Sequence, residues 1–154
     1  GIQWAERVDG PKKVDPDNPC GLTVAVQRTT VSETDDVRPK KDACNGDLTV
    51  LSYDTGDNAA LAVLMGRADA LSADSPVTAW AVNRSEGKMR QVGDMFQASP
   101  YGFAVSKDSD LGKASAAALQ HLIETGEYAE ILSRWGIEDG LIDQAMINER
   151  PING

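Results

Sequence analysis

Cys20-Gly21-Leu22-Thr23-Val24-Ala25-Val26-Gln27-Arg28-Thr29-Thr30-Val31-Ser32-Glu33 is the stretch that decides the fold. The apolar run from Leu22 to Val26 is short, unbroken and rich in valine, the pattern of a strand buried on both faces. It stops at Gln27-Arg28, and the hydroxyl residues Thr29, Thr30 and Ser32 that follow are of the kind that cap a helix start. A helix start presents N–H groups with no internal partner, which suits a carboxylate. A second run of the same type, Leu48-Thr49-Val50-Leu51-Ser52-Tyr53, lies beyond the polar segment Thr34 to Gly46. Strand, polar helix and strand in that order make a parallel βαβ unit. Pro39 falls inside the connecting helix and is expected to end or kink it.

The βαβ unit bears on the two cysteines. Cys20 lies just before the first strand and Cys44 just before the second. Neighbouring parallel strands start on the same edge of a sheet, about 5 Å apart, so the two side chains can meet in disulfide geometry. Such a bridge would close a loop of about 25 residues, constrain the unfolded chain by roughly 3 kcal/mol and place the protein outside the reducing cytosol. The alternative is a pair of buried free thiols at strand starts. A zinc site is not expected, because one histidine, His121, accompanies the two cysteines and falls in a helical pattern far along the chain.

Outward from this unit, Gly1 to Val8 reads as a strand already in progress, as though the chain were entered midway, and Asp9 to Pro19 as a surface loop. Asp57 to Met65 reads as a helix capped by Asp57 or Asn58 and ended by Gly66. Ala68 to Asp74 reads as a third short strand, Ser75-Pro76 opens a helix through Trp80 to Asn83, and Met89 to Val92 is an edge strand. Together they make an α/β fold, a three-layer lobe with a central, mostly parallel sheet. Ligands of such sheets sit outside the carboxyl ends of the strands, where Thr29, Thr30 and Asp74 all lie. Asp74 could alternatively serve only as the N-cap of the helix that follows, and Thr29 and Thr30 as caps alone.

A final strand is expected at Tyr101-Gly102-Phe103-Ala104-Val105, then two helices, the first starting near Asp110 and the pair divided by Gly126. In the second, Tyr128, Ile131, Leu132 and Trp135 form one apolar stripe that seeks a core. The tail from Gly136 has no strong period and is expected to wrap the surface. With 154 residues, 41% hydrophobic and 25% charged, the chain suits a globular domain, and no apolar run approaches the ~20 residues a bilayer needs. No signal-peptide pattern opens the chain, so a secreted form would have lost its leader. A net charge of −9 opposes binding to nucleic acid.

The order of these motifs resembles the family 3 extracellular solute-binding proteins, the polar amino-acid receptors of ABC importers. The family's Cys-Gly pair, valine-rich strand and Gly-Thr-Thr turn are similar to Cys20-Gly21 through Thr29-Thr30, and its Gly-Arg-Ala-Asp-Ala strand to Gly66-Arg67-Ala68-Asp69-Ala70 leading to Asp74. Its return strand and closing helices are similar to Tyr101 through Lys107, Thr125-Gly126-Glu127-Tyr128 and Arg134-Trp135-Gly136. The resemblance implies a type II periplasmic-binding-protein-like lobe. Residues 1–105 would be the second, ligand-binding lobe, with hinge strands at 1–8 and 101–105, and residues 106–154 the C-terminal helices that return to a first lobe.

By the same resemblance, Thr30 and the neighbouring N–H of Val31 would hold a ligand carboxylate, Asp74 would pair with an α-ammonium, and Gln27 would lie near the ligand side chain. Thr29 departs from the family pattern, which has glycine there, and would restrict a backbone that needs positive φ. The family's first lobe supplies the arginine that meets the carboxylate, so this chain would carry half a site. Its ligand would be an amino acid or similar small zwitterion, and the full-length partner an ABC permease. The location would be extracellular or periplasmic, with a lipid anchor as one full-length form. No cofactor, metal or catalytic residue is implied.

Two other classes compete. Some dehydratases of aromatic amino-acid biosynthesis use the same fold, and such an enzyme would need a positioned acid, for which Asp74, Glu33 and Asp54 are the candidates. The lobe could also serve as an isolated sensor or interaction module. If no first lobe covers the stripe at Ile131, Leu132 and Trp135, self-association or pairing with a lobe-one chain is expected.

Overall fold

A computed structural model describes residues 1–152 of the chain. They form two compact units, residues 1–99 and the segment from Pro100 onward, each described by itself. The first unit is built on strands β1 (Ile2–Arg7), β2 (Thr23–Gln27), β3 (Thr49–Tyr53), β4 (Ala70–Asp74) and β5 (Met89–Phe96), in the order β3-β2-β4-β1-β5. β2 runs parallel to both β3 and β4, whereas β1 is antiparallel to both β4 and β5. The chain leaves β2 for β3 on one side and returns to β4 on the other, so the order reverses between β2 and β4. A crevice at such a reversal is where open α/β sheets bind ligands.

Alternation of side chains sorts the core into two faces. Val24 and Val26 pack with Trp4, Val37, Leu48 and Ala70, while Ala25 packs with Ala5, Ala59, Val63, Leu71 and Ala73. The segment after β2 covers the first face, and α2 (Gly56–Leu64) covers the second. Burial on both faces is why the β2 sequence is apolar without a break, each fully buried valine contributing ~1.5–3 kcal/mol. The expected cap of α2 is corrected. Thr55, ahead of Asp57 and Asn58, is the N-cap, its Oγ1 accepting the Asn58 N–H at 3.2 Å.

The segment after β2 is not one regular helix. Ser32–Val37 is π-helical and passes directly into the short helix α1 (Arg38–Ala43), with Pro39 in its first turn. Pro39 has no N–H to enter the usual i→i−4 ladder, so the turns ahead of it adopt wider spacing and the helical path continues. Its effect is therefore a change of helical type, without an end to the segment. The wide turns bury Ser32, Glu33, Asp36 and Val37 together against the sheet.

Asp36 ties that helix to two strands. Its carboxylate accepts the Trp4 indole N–H at 2.7 Å, the Ser72 hydroxyl at 2.7 Å and the Lys40 ammonium. The Lys40 nitrogen also lies 4.9 Å from the Trp4 ring centre and 4.5 Å from that of Phe96. Trp4 is thus a buried hydrogen-bonding residue as well as a packing one. Asp69 has a similar role at the other end of the sheet, where its Oδ2 accepts the Thr23 N–H at 2.7 Å and Lys12 Nζ at 2.9 Å. The Arg-Ala-Asp-Ala motif thereby pins the beginnings of β2 and β4 to one another.

The cysteines are paired. Cys20 precedes β2, Cys44 ends α1, and a disulfide joins them across a Cα separation of 5.4 Å. The βαβ connection is therefore closed covalently at the end of the sheet opposite the crevice.

In the second unit, α4 (Leu111–Thr125) and α5 (Glu127–Trp135) are divided by Gly126, whose φ of 82° lies in the left-handed region that glycine enters at no steric cost. Asp110 precedes α4 but does not cap it with its side chain; Ser109 Oγ accepts the Leu111 N–H at 3.1 Å. Beyond α5 comes a 3-10 turn at Glu138–Gly140, then β6 (Met146–Ile147) and β7 (Arg150–Pro151), an antiparallel pair. The turn residues Asn148 and Glu149 both have positive φ, as a tight hairpin requires. Part of the tail is therefore ordered.

The strand expected at Tyr101 to Val105 does not form. These residues carry no regular structure, with Tyr101 68% and Phe103 87% exposed. Alternating apolar residues mark strand propensity, but a strand exists only where a neighbour takes its N–H and C=O groups. Among the described residues, neither sheet takes this segment into a ladder. Ile131 and Trp135 of the α5 stripe are 38% and 49% exposed. No described helix is long and apolar enough to cross a membrane.

Candidate functional site

Gln27 closes β2 and Asp74 closes β4, and the parallel pairing sets these two ends side by side. Between them is a recess of about 60 Å³ lined by Gln27, Thr30, Ser32, Gly56, Leu71, Ser72, Ala73, Asp74 and Val77. Three of the residues singled out in the sequence, Gln27, Thr30 and Asp74, are brought together there. Thr29 and Val31 flank the recess in sequence without lining it, and Val31 is 51% exposed. Ser32, Gly56 and Ser72 were not picked out as site residues from sequence. Their only signal was position, one turn after Thr30 or beside the end of a strand.

Asp74 occupies the N-cap position of α3 (Ser75–Arg84), but its carboxylate makes no capping bond to that helix. Thr30 uses its carbonyl to start the helical segment, accepting the N–H groups of Glu33 and Thr34, each at 3.0 Å. Its hydroxyl donates to the Gln27 carbonyl at 2.7 Å. The turn from β2 to the helix is thus held by backbone and hydroxyl bonds, leaving the N–H groups of the first turn, Val31 and Ser32 among them, at the helix's positive end.

Thr29 shows what that turn demands. Its φ is 61°, so the backbone takes the left-handed conformation despite a β-branched side chain. The expected restriction at this position is corrected, and the turn has the shape that glycine would give it. Two bonds over-determine the strained residue: its N–H donates to Glu33 Oε2 at 2.7 Å, and the Arg28 N–H donates to the Tyr53 carbonyl at 2.8 Å. A left-handed non-glycine residue costs about 1–2 kcal/mol, and glycine gives back part of that in chain entropy. Thr29→Gly is therefore expected to stabilise the protein by about 0.5–1 kcal/mol in denaturant unfolding. A loss of stability would show the turn to be unstrained.

Glu33 is the second polar anchor. Its side chain is 5% exposed and accepts the Ser52 hydroxyl, the Thr29 N–H and the Arg38 guanidinium, the last at 2.8 Å. The Ser52 hydrogen bond first, then those of Thr29 and Arg38, hold the Glu33 carboxyl below the usual carboxylate range against the opposing effect of burial. Such a group remains ionised at neutral pH and has no proton to give. Asp54 is exposed, 3.2 Å from Arg28. His121 lies on α4 in the second unit. Among the described residues no group of His, Cys, Asp and Glu is arranged to hold a metal ion.

A larger cleft of about 510 Å³ runs between the Asp9 to Pro19 loop and β5, lined by residues including Asp15, Asp17, Asp35, Lys40, Asp94 and Phe96. Its lining residues are distinct from those of the recess between Gln27 and Asp74. Its aromatic floor, Phe96, is already covered by the Lys40 ammonium. The smaller recess therefore has the better-developed chemistry, with a helix start on one side and a carboxylate on the other.

No family model matches the chain. Over 157 aligned residues the chain is 59% identical to the arginine-binding protein ArgT of Corynebacterium glutamicum, covering 99% of this chain and 52% of that protein. It thus spans about half the length of the curated relative it matches. An ancestral arginine-binding protein solved with arginine bound superposes with a TM-score of 0.67 at 26% identity, over 88% of this chain and 59% of the other. An ancestral amino acid-binding protein described as a precursor of cyclohexadienyl dehydratase gives 0.64 at 26% identity, over 88% and 57%.

Proposed function

From its place among the family 3 extracellular solute-binding proteins, the family to which this chain belongs, we propose that its first unit takes the polar head of an amino acid. A basic amino acid, arginine first, is the ligand we assign. The observation that carries the proposal is the convergence of Thr30, Gln27 and Asp74 on one recess at the carboxyl ends of β2 and β4. A carboxylate would lie against the helix start at Thr30 and Val31, an ammonium against Asp74, and the ligand side chain past Gln27. An acceptor-only carboxylate such as Asp74 matches the donors of an ammonium, and the charge makes each bond about twice as strong as a neutral one.

In this reading residues 1–105 act as the second lobe and residues 106–154 as helices that belong against a first lobe. A full-length protein of this kind would close over its ligand and present it to an ABC permease. The disulfide supports a place outside the cytosol, in the periplasm or beyond the membrane. The activity is binding without bond-making. Glu33 would have to surrender three donors before acting as an acid, which weighs against the dehydratase alternative.

The test is calorimetric titration with the common amino acids, repeated on Asp74→Ala. Saturable binding of L-arginine is expected, weakened at least about tenfold in the variant, as the loss of a charge-assisted bond implies. Binding unchanged in Asp74→Ala would remove Asp74 from the site. No binding of any amino acid would refute the working half-site.

A further inference from the structure

We infer that the Ser32 hydroxyl is a ligand-anchoring group in the recess, donating to a carboxylate oxygen of the bound amino acid; this deepens the reading above and rests on it. Ser32 is 1% exposed, and its Oγ is, among the described residues, the one buried side-chain polar atom without a hydrogen-bond partner. A buried hydroxyl without a partner destabilises the folded chain, so native structures rarely keep one. The neighbouring hydroxyls show how completely the others are satisfied. Ser72 donates to Asp36, Thr30 to the Gln27 carbonyl, Ser52 to Glu33 and Thr78 to the Gln3 carbonyl.

The surroundings select the kind of ligand atom. Ser32 lines the recess in the first turn of the helical run that continues to Ala43, where the positive end of the helix favours negative charge. The two carboxylates buried with it in the same segment, Glu33 and Asp36, are each engaged by three other donors and do not draw the hydroxyl. Asp74 lines the same recess and takes the cationic end of a zwitterion, which leaves the anionic end to Ser32. A space of about 60 Å³ holds a head group and directs the rest of the ligand outward.

The experiment compares the native chain with Ser32→Ala by denaturant unfolding without ligand, and by NMR chemical-shift titration with L-arginine and with L-argininamide, whose carboxylate is replaced by an amide. Ligand-free Ser32→Ala is expected to be as stable as the native chain or more so. Its affinity for L-arginine is expected to fall about tenfold, with little change for L-argininamide. A less stable variant would give the hydroxyl a structural role and overturn the inference. Equal affinity for L-arginine in both proteins would overturn it while leaving the binding reading intact, as would an equal loss for both ligands. No binding by the native chain would overturn both.

Discussion

Asp36→Ala is expected to lower the stability of the protein by about 3–5 kcal/mol, the range found when one partner of a buried ionic cluster is removed. The Asp36 side chain is 1% exposed and holds donors from three parts of the first unit: Trp4 on β1, Ser72 on β4 and Lys40 on α1. Deleting it leaves the Trp4 indole N–H and the Ser72 hydroxyl buried with no acceptor. It also takes from the Lys40 ammonium, which lies over two aromatic rings, its ion-pair partner. Cation–π contacts are worth ~0.5–2 kcal/mol and do not replace a buried carboxylate. Denaturant unfolding measures the change, and a loss below ~1 kcal/mol would mean that water enters and satisfies the orphaned donors. Asp36→Asn, which keeps an acceptor oxygen of similar shape, should cost less than the alanine variant. The order of the two variants therefore separates the charge from the hydrogen bonds.

Replacing both cysteines, as Cys20→Ala with Cys44→Ala, is expected to cost ~3 kcal/mol, mainly by freeing the unfolded chain. The residues lie 24 apart in sequence, so the bridge closes the whole β2-to-α1 connection. Cys44 is buried among Val24, Val37 and Leu48, so alanine there also removes packing from the same cluster. Unfolding midpoints with and without a reductant measure the effect in the unaltered chain. Coincident midpoints would show that the native packing alone restricts this segment. Because the bridge is at the edge of the sheet opposite the recess, ligand affinity in the folded variant should be unchanged.

Much of the fold was legible in the order of the residues. The unbroken apolar run of β2 fits burial on both faces inside a sheet, and a second strand pattern beyond a polar segment, at the edge strand β3, announced a parallel α/β lobe. Cys20 and Cys44 at matching strand ends announced the bridge. Gln27, Thr30 and Asp74 sit at strand ends, so their proximity follows from parallel pairing alone. Three features were not legible. Thr29 gives no local sign of a left-handed backbone, because its conformation is imposed by the Glu33 and Tyr53 bonds, whose partners come from the helix and from β3. The π-helical turns ahead of Pro39 depend on what the missing N–H forces on residues already packed against the sheet. Tyr101 to Val105 shows the reverse error, a sound local strand pattern that neither sheet takes up.

By itself, then, the sequence determined the strands and helices of the first unit's parallel core, which of its strand ends meet and that Cys20 and Cys44 lie where they can pair, because periodicity and chain direction are local properties. Only the tertiary structure decided that the Ser32 hydroxyl is buried without a partner while Ser72, two strands away in sequence, is satisfied by Asp36. It also decided that Glu33 is an anchor of the turn and holds no spare proton. Hydrogen-bond satisfaction is settled by groups that reach a site from distant parts of the chain, and no window of sequence contains them all.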